Sequence, residues 1–361
     1  MHRRYRPPRS TIALWCLAIA WAHALGCSID GDPSNDLRQE DPDTSELQDA
    51  ELDRSEQGHD ATPDTAGGDA SPPEGPPPSD TEDDPDDDID PVPGWPPPRV
   101  GCNGHPALCD RSYAEVVFPG THNSMSNAED RWIVPNQNRN LRSQLVDGIR
   151  VFLLDIYLDG GEVALCHSIC LAGRRPFLEA MNELRAFLES QPREVITLIL
   201  EDYVDAEAIE DVIVAAGLTP YLYARTEGMP WPTLGAMIAQ GRRLVITAQD
   251  EGPPPTWLHN IWSLAWDTPY TFRSVEEFSC RRNRGSTSND LFLLNHWILN
   301  PAAAPRHGEE ANAYDVLMAR IDTCIAQWSR LPTFIAVDFY DIGDLFEVVD
   351  VLNGIAEPRE R

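Results

Sequence analysis

The chain has 361 residues and a formal net charge of -31, with 59 acidic residues against 28 basic ones. This acidic excess argues against nucleic acid as a partner, because the phosphate backbone would repel it. Every basic residue is an arginine, and the absence of lysine excludes a Walker-type nucleotide loop and a pyridoxal-phosphate anchor, both of which require that residue.

Residues 1–27 have the order of features found in a secretory signal peptide. Arginines at positions 3, 4, 6 and 9 precede an apolar segment, which closes on Ala24-Leu-Gly-Cys27. A cysteine directly after Leu-Gly resembles the bacterial lipobox, so we predict cleavage before Cys27 and lipid attachment to its thiol. The alternatives are an ordinary signal peptide cut nearby and an uncleaved membrane anchor, for which the apolar segment is short. Each of them exports the remaining chain, as an outer-membrane or cell-surface lipoprotein or as a secreted protein.

Residues 28–99 hold most of the acidic excess and are rich in proline, glycine, serine and threonine. A segment with so few aromatic and branched apolar residues cannot offset its ordering entropy by burial, so we predict a disordered acidic linker. Its aspartate runs lack the defined loop that calcium binding requires.

Residues 100–361 have the composition of one globular domain. Apolar runs typical of strands buried on both faces recur along it. The predicted strands begin near Val116, Val151, Val163, Val195, Tyr221, Leu244, Leu291 and Phe334. Apolar residues at three- and four-residue spacing predict helices over 176–190, 206–216, 232–240, 309–328 and 344–352. Alternating strands and helices imply a parallel sheet, and about eight strands in a domain of this size predict an α/β fold of the TIM (β/α)₈ type.

Six cysteines remain after the signal segment, an even number that favours three disulfides in an exported domain. Proximity pairs Cys102 with Cys109 and Cys166 with Cys170, which leaves Cys280 for Cys324. A zinc site is the alternative, but neither close pair is followed by a second pair at zinc-finger spacing.

Two histidines follow predicted strands, where parallel α/β folds keep their catalytic groups. Pro119 and Gly120 are expected to end the first strand and to present His122 at its mouth, and His167 follows another strand. One neutral imidazole can take a proton from an attacking hydroxyl while the protonated one gives a proton to a leaving oxygen. Asp338, after the last strand, would hold His122 in the correct tautomer.

Several ordered motifs resemble the X domain of phosphatidylinositol-specific phospholipases C, in particular the exported PLC-like phosphodiesterases of bacteria and plants. They are Pro119-Gly-Thr-His-Asn-Ser124, Gly148-Ile-Arg-Val-Phe-Leu-Leu-Asp155, Leu165-Cys-His-Ser168, Val195-Ile-Thr-Leu-Ile-Leu-Glu-Asp-Tyr203 and Ala336-Val-Asp-Phe-Tyr340. The resemblance implies a distorted TIM barrel that cleaves phosphatidylinositol to diacylglycerol and a cyclic inositol phosphate. It also implies that His122 is the general base, His167 the general acid and Asp338 the residue that supports the base.

The resemblance leaves the source of positive charge at the phosphate open. Calcium-dependent members bind the ion through an Asn after the first histidine and through nearby acids, which here are Asn123, Asp155 and Glu201, with Asp202 beside them. Metal-independent bacterial members instead use an Arg two residues after the position of Asp155, and here that residue is Tyr157. Neither arrangement is intact, because Leu153 stands where the eukaryotic enzymes place a Glu ligand and Glu201 is shifted by about one residue. Calcium is therefore a hypothesis, based on this oxygen-rich set of side chains.

Other residues near the strand ends are candidates for the site or for packing. We list Tyr157 and His296 as candidate substrate contacts, although His296 has the alternative of bonding a neighbouring residue. Arg150 lies too early on its strand to reach the mouth. Trp257, Trp262, Trp266 and Trp297 would form either a rim for lipid or sugar, or part of the core.

The sequence therefore predicts an exported, monomeric phosphoric diester hydrolase or lyase that acts on phospholipid at a membrane surface. One alternative is the same chemistry on another diester, such as a glycerophosphodiester or sphingomyelin. Another is a barrel without turnover that serves as a surface binding protein.

Overall fold

A computed structural model describes residues 93–359. The predictions for the signal peptide, for lipidation of Cys27 and for nearly all of the linker lie outside these residues. None of the helices between residues 93 and 359 is long and apolar enough to cross a membrane.

Ten strands lie in this part of the chain, and most are apolar runs buried on both faces. In chain order they are β1 (Phe118–Thr121), β2 (Val151–Asp159), β3 (Glu162–Cys166), β4 (Arg174–Pro176), β5 (Ile196–Tyr203), β6 (Leu244–Ala248), β7 (Leu258–Asn260), β8 (Ala265–Asp267), β9 (Leu291–His296) and β10 (Phe334–Val337). Eight of them form a curled sheet in the order β7-β6-β5-β2-β1-β10-β9-β8, and every pairing along this path is parallel. Within residues 93–359 the edge strands β7 and β8 do not pair, so the sheet is an open, distorted TIM-type barrel. The predicted α/β barrel class is confirmed.

The eight barrel strands are not the eight that the sequence predicts. The run that begins at Val163 is β3, which pairs antiparallel with β2 in a hairpin and lies off the barrel path. Gly160 and Gly161 turn the chain there with positive φ angles of 61° and 86°, which glycine adopts without steric cost. The segment at Tyr221 contributes only an isolated bridge from Leu222 to β6. Two unpredicted strands, β7 and β8, take the two places, and at three residues each they are too short to show a periodic pattern.

Eight α-helices are described within residues 93–359, and they pack around the sheet. They are α1 (Leu141–Asp147), α2 (Phe177–Ser190), α3 (Ala206–Ala215), α4 (Leu234–Ala239), α5 (Ile261–Leu264), α6 (Pro305–Ala311), α7 (Tyr314–Trp328) and α8 (Leu345–Leu352). The predicted helix over 309–328 is wrong in its extent, because the helical backbone is interrupted at Asn312, between α6 and α7. The Asn312 amide Nδ2 donates to the Asp338 carbonyl at 2.8 Å, which ties this break to the end of β10.

All three predicted disulfides are present. They join Cys102 to Cys109, Cys166 to Cys170 and Cys280 to Cys324. Arg150 behaves as predicted, since its buried guanidinium donates to Glu194 at 2.6 Å far from the carboxyl ends of the strands.

Candidate active site

The first candidate histidine leaves the barrel at the carboxyl end of β1. Pro119 and Gly120 do not end this strand as predicted, because both pair in register with β10 and the ladder runs on to Thr121. The turn comes later, at Asn123, whose φ of 45° lies in the left-handed region. His122 thus stands directly after the last paired residue of the strand, and its side chain is 21% exposed.

Two side chains contact the His122 ring, and a third fixes one of them. Its Nδ1 atom lies 2.9 Å from an oxygen of Asp338, a carboxylate that is only 4% exposed. The amide of Asn136 donates to both Asp338 oxygens, at 3.1 and 3.2 Å. Trp297 stacks on the imidazole with a ring separation of 3.7 Å and an interplanar angle of 4°. A buried carboxylate at Nδ1 leaves Nε2 as the atom that can accept a proton.

His167 follows β3, the hairpin strand that extends from β2, and meets the first histidine's turn. Its Nε2 atom lies 3.1 Å from the amide nitrogen of Asn123. Burial lowers the pKa of His167, and the positive charge that His122 can carry lowers it further. Asn123 therefore links the two histidines: it follows His122 in the sequence, and its side chain contacts His167.

The candidate metal ligands Asp155 and Glu201 stand side by side on β2 and β5. Burial, with the charge of Glu201 as the second cause, raises the pKa of Asp155 well above its usual range. No hydrogen-bond donor contacts the Asp155 carboxylate among residues 93–359, whereas Glu201 accepts from the Tyr203 hydroxyl. No group of three or more His, Cys, Asp and Glu side chains in this range could hold a metal ion, so any cation site here needs the Asn123 amide oxygen or substrate as well.

Asp202 is not part of this group, contrary to its inclusion in the oxygen-rich set. It faces away from Glu201 because neighbouring residues on a strand point to opposite faces. Its two oxygens accept the backbone N–H groups of residues 249, 250 and 251, at 2.8 to 3.0 Å.

The two candidate substrate contacts have different positions. His296 is fully buried, with Nε2 2.8 Å from the Ala311 carbonyl and Nδ1 3.2 Å from an Arg320 nitrogen. Burial and Arg320 lower the pKa of His296 to about 3, and both ring nitrogens have partners within the protein, which matches the alternative that His296 bonds neighbouring residues. Tyr157 is half-buried at the mouth and stacks on Tyr203, with ring centroids 4.3 Å apart.

An open cavity of about 210 Å³ lies at the carboxyl ends of the strands, and His167 contacts its wall through Asn123. His122, Asn123, Asp155 and Glu201 line it. Arg284, which the sequence reasoning missed, lines it as well, and it is the one arginine that the described part of the chain places in the cavity wall. No signal along the chain marks this arginine, since it comes from the loop between β8 and β9.

Arg284 is held rigidly. Its Nε and Nη2 atoms donate to one oxygen of the buried Asp267, at 3.0 and 2.6 Å, and its Nη1 donates to Gln249 at 2.8 Å. The guanidinium also lies over the rings of Trp262 and Tyr270, 4.1 and 4.8 Å from their centroids. Of the four tryptophans considered, Trp262 and Trp297 thus support site residues, while Trp266 is a core residue stacked on Phe292.

The PI-PLC X family model (PI-PLC X 1) matches residues 108–353, which include all of the groups described above. The chain belongs to the PI-PLC X family. A PI-PLC X domain-containing protein of Arabidopsis thaliana is 29% identical over 266 residues, and the alignment covers 65% of this chain and 61% of that protein. PI-PLC X domain-containing protein 1 of Arthroderma benhamiae is 26% identical, with 70% of this chain and 90% of that one covered. A protein of the same fungus described as an uncharacterized secreted protein is 27% identical, with 70% and 64% covered.

A solved structure with a similar arrangement is a phosphatidylinositol-specific phospholipase C from Listeria monocytogenes. It is 15% identical with a TM-score of 0.44, and the match covers 69% of this chain and 96% of that one. The chain spans less than two thirds of the Arabidopsis relative and of the secreted fungal relative. The family model thus shows membership of the PI-PLC X family, and the strand pairings show the open barrel.

Proposed function

We propose that this PI-PLC X protein is an exported phosphodiesterase that cleaves phosphatidylinositol-type phospholipids to diacylglycerol and a cyclic inositol phosphate. The observation that carries the proposal is the His122–Asp338 pair, at 2.9 Å, with His167 bonded to the adjacent Asn123 at 3.1 Å. A base that lines the cavity and an acid bonded to the cavity residue Asn123 suit displacement at phosphorus, in which one oxygen attacks as another leaves.

His122 is the general base. Asp338 accepts from Nδ1, so Nε2 can take the proton of the attacking inositol 2-hydroxyl. As the imidazolium forms, the buried carboxylate stabilises it. Trp297 stacks on the ring and prevents it from turning away from the cavity.

His167 is the general acid that protonates the glycerol oxygen as it leaves. The pKa of His167 is lowered in the protein alone, whereas a phosphodiester bound in the cavity carries a negative charge that raises it. Substrate therefore promotes the protonated state that the acid requires, and the ring closes as the 2-hydroxyl oxygen replaces the leaving oxygen on phosphorus.

Positive charge at the phosphate has two sources in this proposal. Arg284 lines the cavity as a fixed guanidinium, a group suited to planar recognition of phosphate oxygens or sugar hydroxyls. Calcium is the second: the Asp155 carboxylate lacks a hydrogen-bond donor among residues 93–359 and lies beside Glu201, a donor set that fits a hard cation. Asn123, Asp155 and Glu201 would hold the ion, and when bound it would neutralise charge on the phosphate.

The deciding experiment is phosphorus NMR of phosphatidylinositol micelles incubated with the protein, with His122→Ala as the matched inactive variant. We expect a cyclic inositol phosphate signal that the variant does not produce. The same turnover by wild type and His122→Ala, or no turnover by either, would overturn the proposal for this lipid.

Calcium is tested separately by titrating CaCl₂ into wild-type protein and Asp155→Asn in a calorimeter. We expect binding to the wild type alone, and activity that excess EDTA removes. Full activity in EDTA would exclude calcium and leave Arg284 as the charged group.

A further inference from the structure

The Cys166–Cys170 disulfide closes the smallest ring in the described chain. Its cysteines are 4 positions apart in the sequence, compared with 7 for Cys102–Cys109 and 44 for Cys280–Cys324. The entropic stabilisation that a disulfide gives falls as the closed loop shortens, so this bond adds the least to global stability. What so short a ring can do is fix the geometry of the three residues inside it, and His167 is one of them.

The backbone inside the ring has an unfavourable conformation. The Ile169 N–H donates to the His167 carbonyl at 2.7 Å, which closes a three-residue turn. Ser168, at its centre, has a φ of 62°. A γ-turn with positive φ is the rare, strained form, and such strain persists only where the surrounding structure imposes it.

Contacts on both sides hold the ring in place. Cys166 is fully buried at the end of β3 and pairs in register with Arg174 of β4. Beyond the ring, the Ala172 carbonyl accepts the Ile133 N–H at 2.7 Å. The disulfide links these fixed points across the turn that carries the histidine.

We propose that the Cys166–Cys170 disulfide is a positioning device that holds His167 against Asn123 for proton donation to the leaving oxygen. This inference rests on the proposed function, in which His167 is the acid. Without the bond the strained turn relaxes, and His167 leaves the position in which its Nε2 lies 3.1 Å from the Asn123 amide.

The test compares Cys166→Ala/Cys170→Ala with Cys280→Ala/Cys324→Ala, using phosphatidylinositol micelles as substrate. We expect the first pair to lower kcat by about 10- to 100-fold with little change in KM, because a misplacement of about 1 Å can cost that much. The second pair opens the longer loop, so we expect it to lower Tm more and kcat less. A kcat within threefold of wild type for the first pair would overturn the inference.

A double-mutant comparison separates positioning from general damage. In a His167→Ala background, replacing Cys166 and Cys170 with alanine should not lower kcat further, because the imidazole that the disulfide positions is already absent. A further tenfold or greater fall in kcat in that background would show that the disulfide supports activity by a route other than positioning His167.

Ser168 provides a second test with all disulfides intact, in case the cysteine variant does not fold. Ser168→Val disfavours a positive φ, whereas glycine accepts it. We expect Ser168→Val to lose at least tenfold more kcat than Ser168→Gly, and equal losses would contradict the inference.

NMR of the His167 imidazole distinguishes a failure of this inference from a failure of the proposed function. Removal of the Cys166–Cys170 disulfide should abolish the NOE between the imidazole and the Asn123 side-chain amide, whether or not the protein cleaves phosphatidylinositol. If the wild type shows no turnover but the cysteine variant loses this NOE, the proposed function fails and the positioning role stands. An unchanged NOE in the cysteine variant would refute the positioning role by itself.

Discussion

Asp338→Asn is the sharpest perturbation of the proposed base. The Asp338 oxygens accept from His122 Nδ1 at 2.9 Å and from the Asn136 amide at 3.1 and 3.2 Å. An amide at this position has one oxygen, and the Asn136 donor contacts both oxygen positions. When the new oxygen takes the position that contacts Asn136 alone, the new NH₂ group takes the other position and faces His122 Nδ1. The ring then keeps its proton on Nε2, the nitrogen that should accept one.

The expected loss follows from that tautomer. Loss of an equivalent carboxylate in a histidine-based site lowers kcat by about 10⁴, which corresponds to about 5 kcal/mol of transition-state stabilisation. The His122–Trp297 stack remains and keeps the ring in place, so we expect about 10³ to 10⁴ here, with KM nearly unchanged. Steady-state turnover of phosphatidylinositol measures the loss, and nitrogen NMR of the His122 ring reports the tautomer directly.

Asp341→Asn is the matched control. Asp341 is exposed, accepts from the Asn138 amide at 3.0 and 3.2 Å, and lies three residues from Asp338 on the same turn. The same chemical change there should leave kcat within twofold. A loss of less than tenfold in Asp338→Asn, or an unchanged His122 tautomer, would refute the reasoning about the base.

Three further predictions concern charge in the cavity. His122→Gln removes the positive charge that lowers the pKa of His167, so carbon-detected NMR titration should show the His167 pKa rising above that of the wild type, and no rise would contradict the coupling. Burial and Glu201 raise the pKa of Asp155 in the folded state. At pH values between the pKa of the unfolded chain and the higher pKa of the folded protein, the folded state binds more protons, so stability falls as the pH rises through this range. Asp155→Asn without calcium should therefore stabilise the protein at pH 7 by about 1 kcal/mol or more. Calorimetric melting checks this against the exposed Glu207→Gln, and a lower Tm for Asp155→Asn would be inconsistent with it. Arg284→Lys keeps the charge but loses the paired donors to Asp267, so KM should rise about tenfold, the equivalent of about 1.4 kcal/mol. An unchanged KM in substrate titrations would remove Arg284 from the binding surface.

Much of the site was predictable because parallel sheets bring the carboxyl ends of their strands together. His122 and Asp338 each follow a buried apolar run, and strands β1 and β10 are neighbours in register. Once the barrel is assumed, their contact needs no further information. The disulfides were likewise predictable, because two of them join cysteines that cannot be far apart in any fold.

Other features depend on contacts between residues far apart in the chain. Nothing near Arg284 shows that it reaches the cavity, because its position is fixed by Asp267 and Gln249 on other segments. Nothing near His296 shows that its ring is turned into the protein toward Arg320. Local sequence places a residue at a strand end, whereas neighbouring elements decide which way its side chain points.

The amino-acid sequence by itself determined the barrel class, the histidine pair and the three disulfides, because these depend on strand periodicity, order and chain proximity. Only the tertiary structure decided which strands close the sheet, that β3 leaves it as a hairpin, and that Arg284 is the arginine lining the cavity. Those outcomes depend on the conformation of turns and on the pairing of buried charges. Both are determined by contacts between distant parts of the chain, which form only when the whole domain packs.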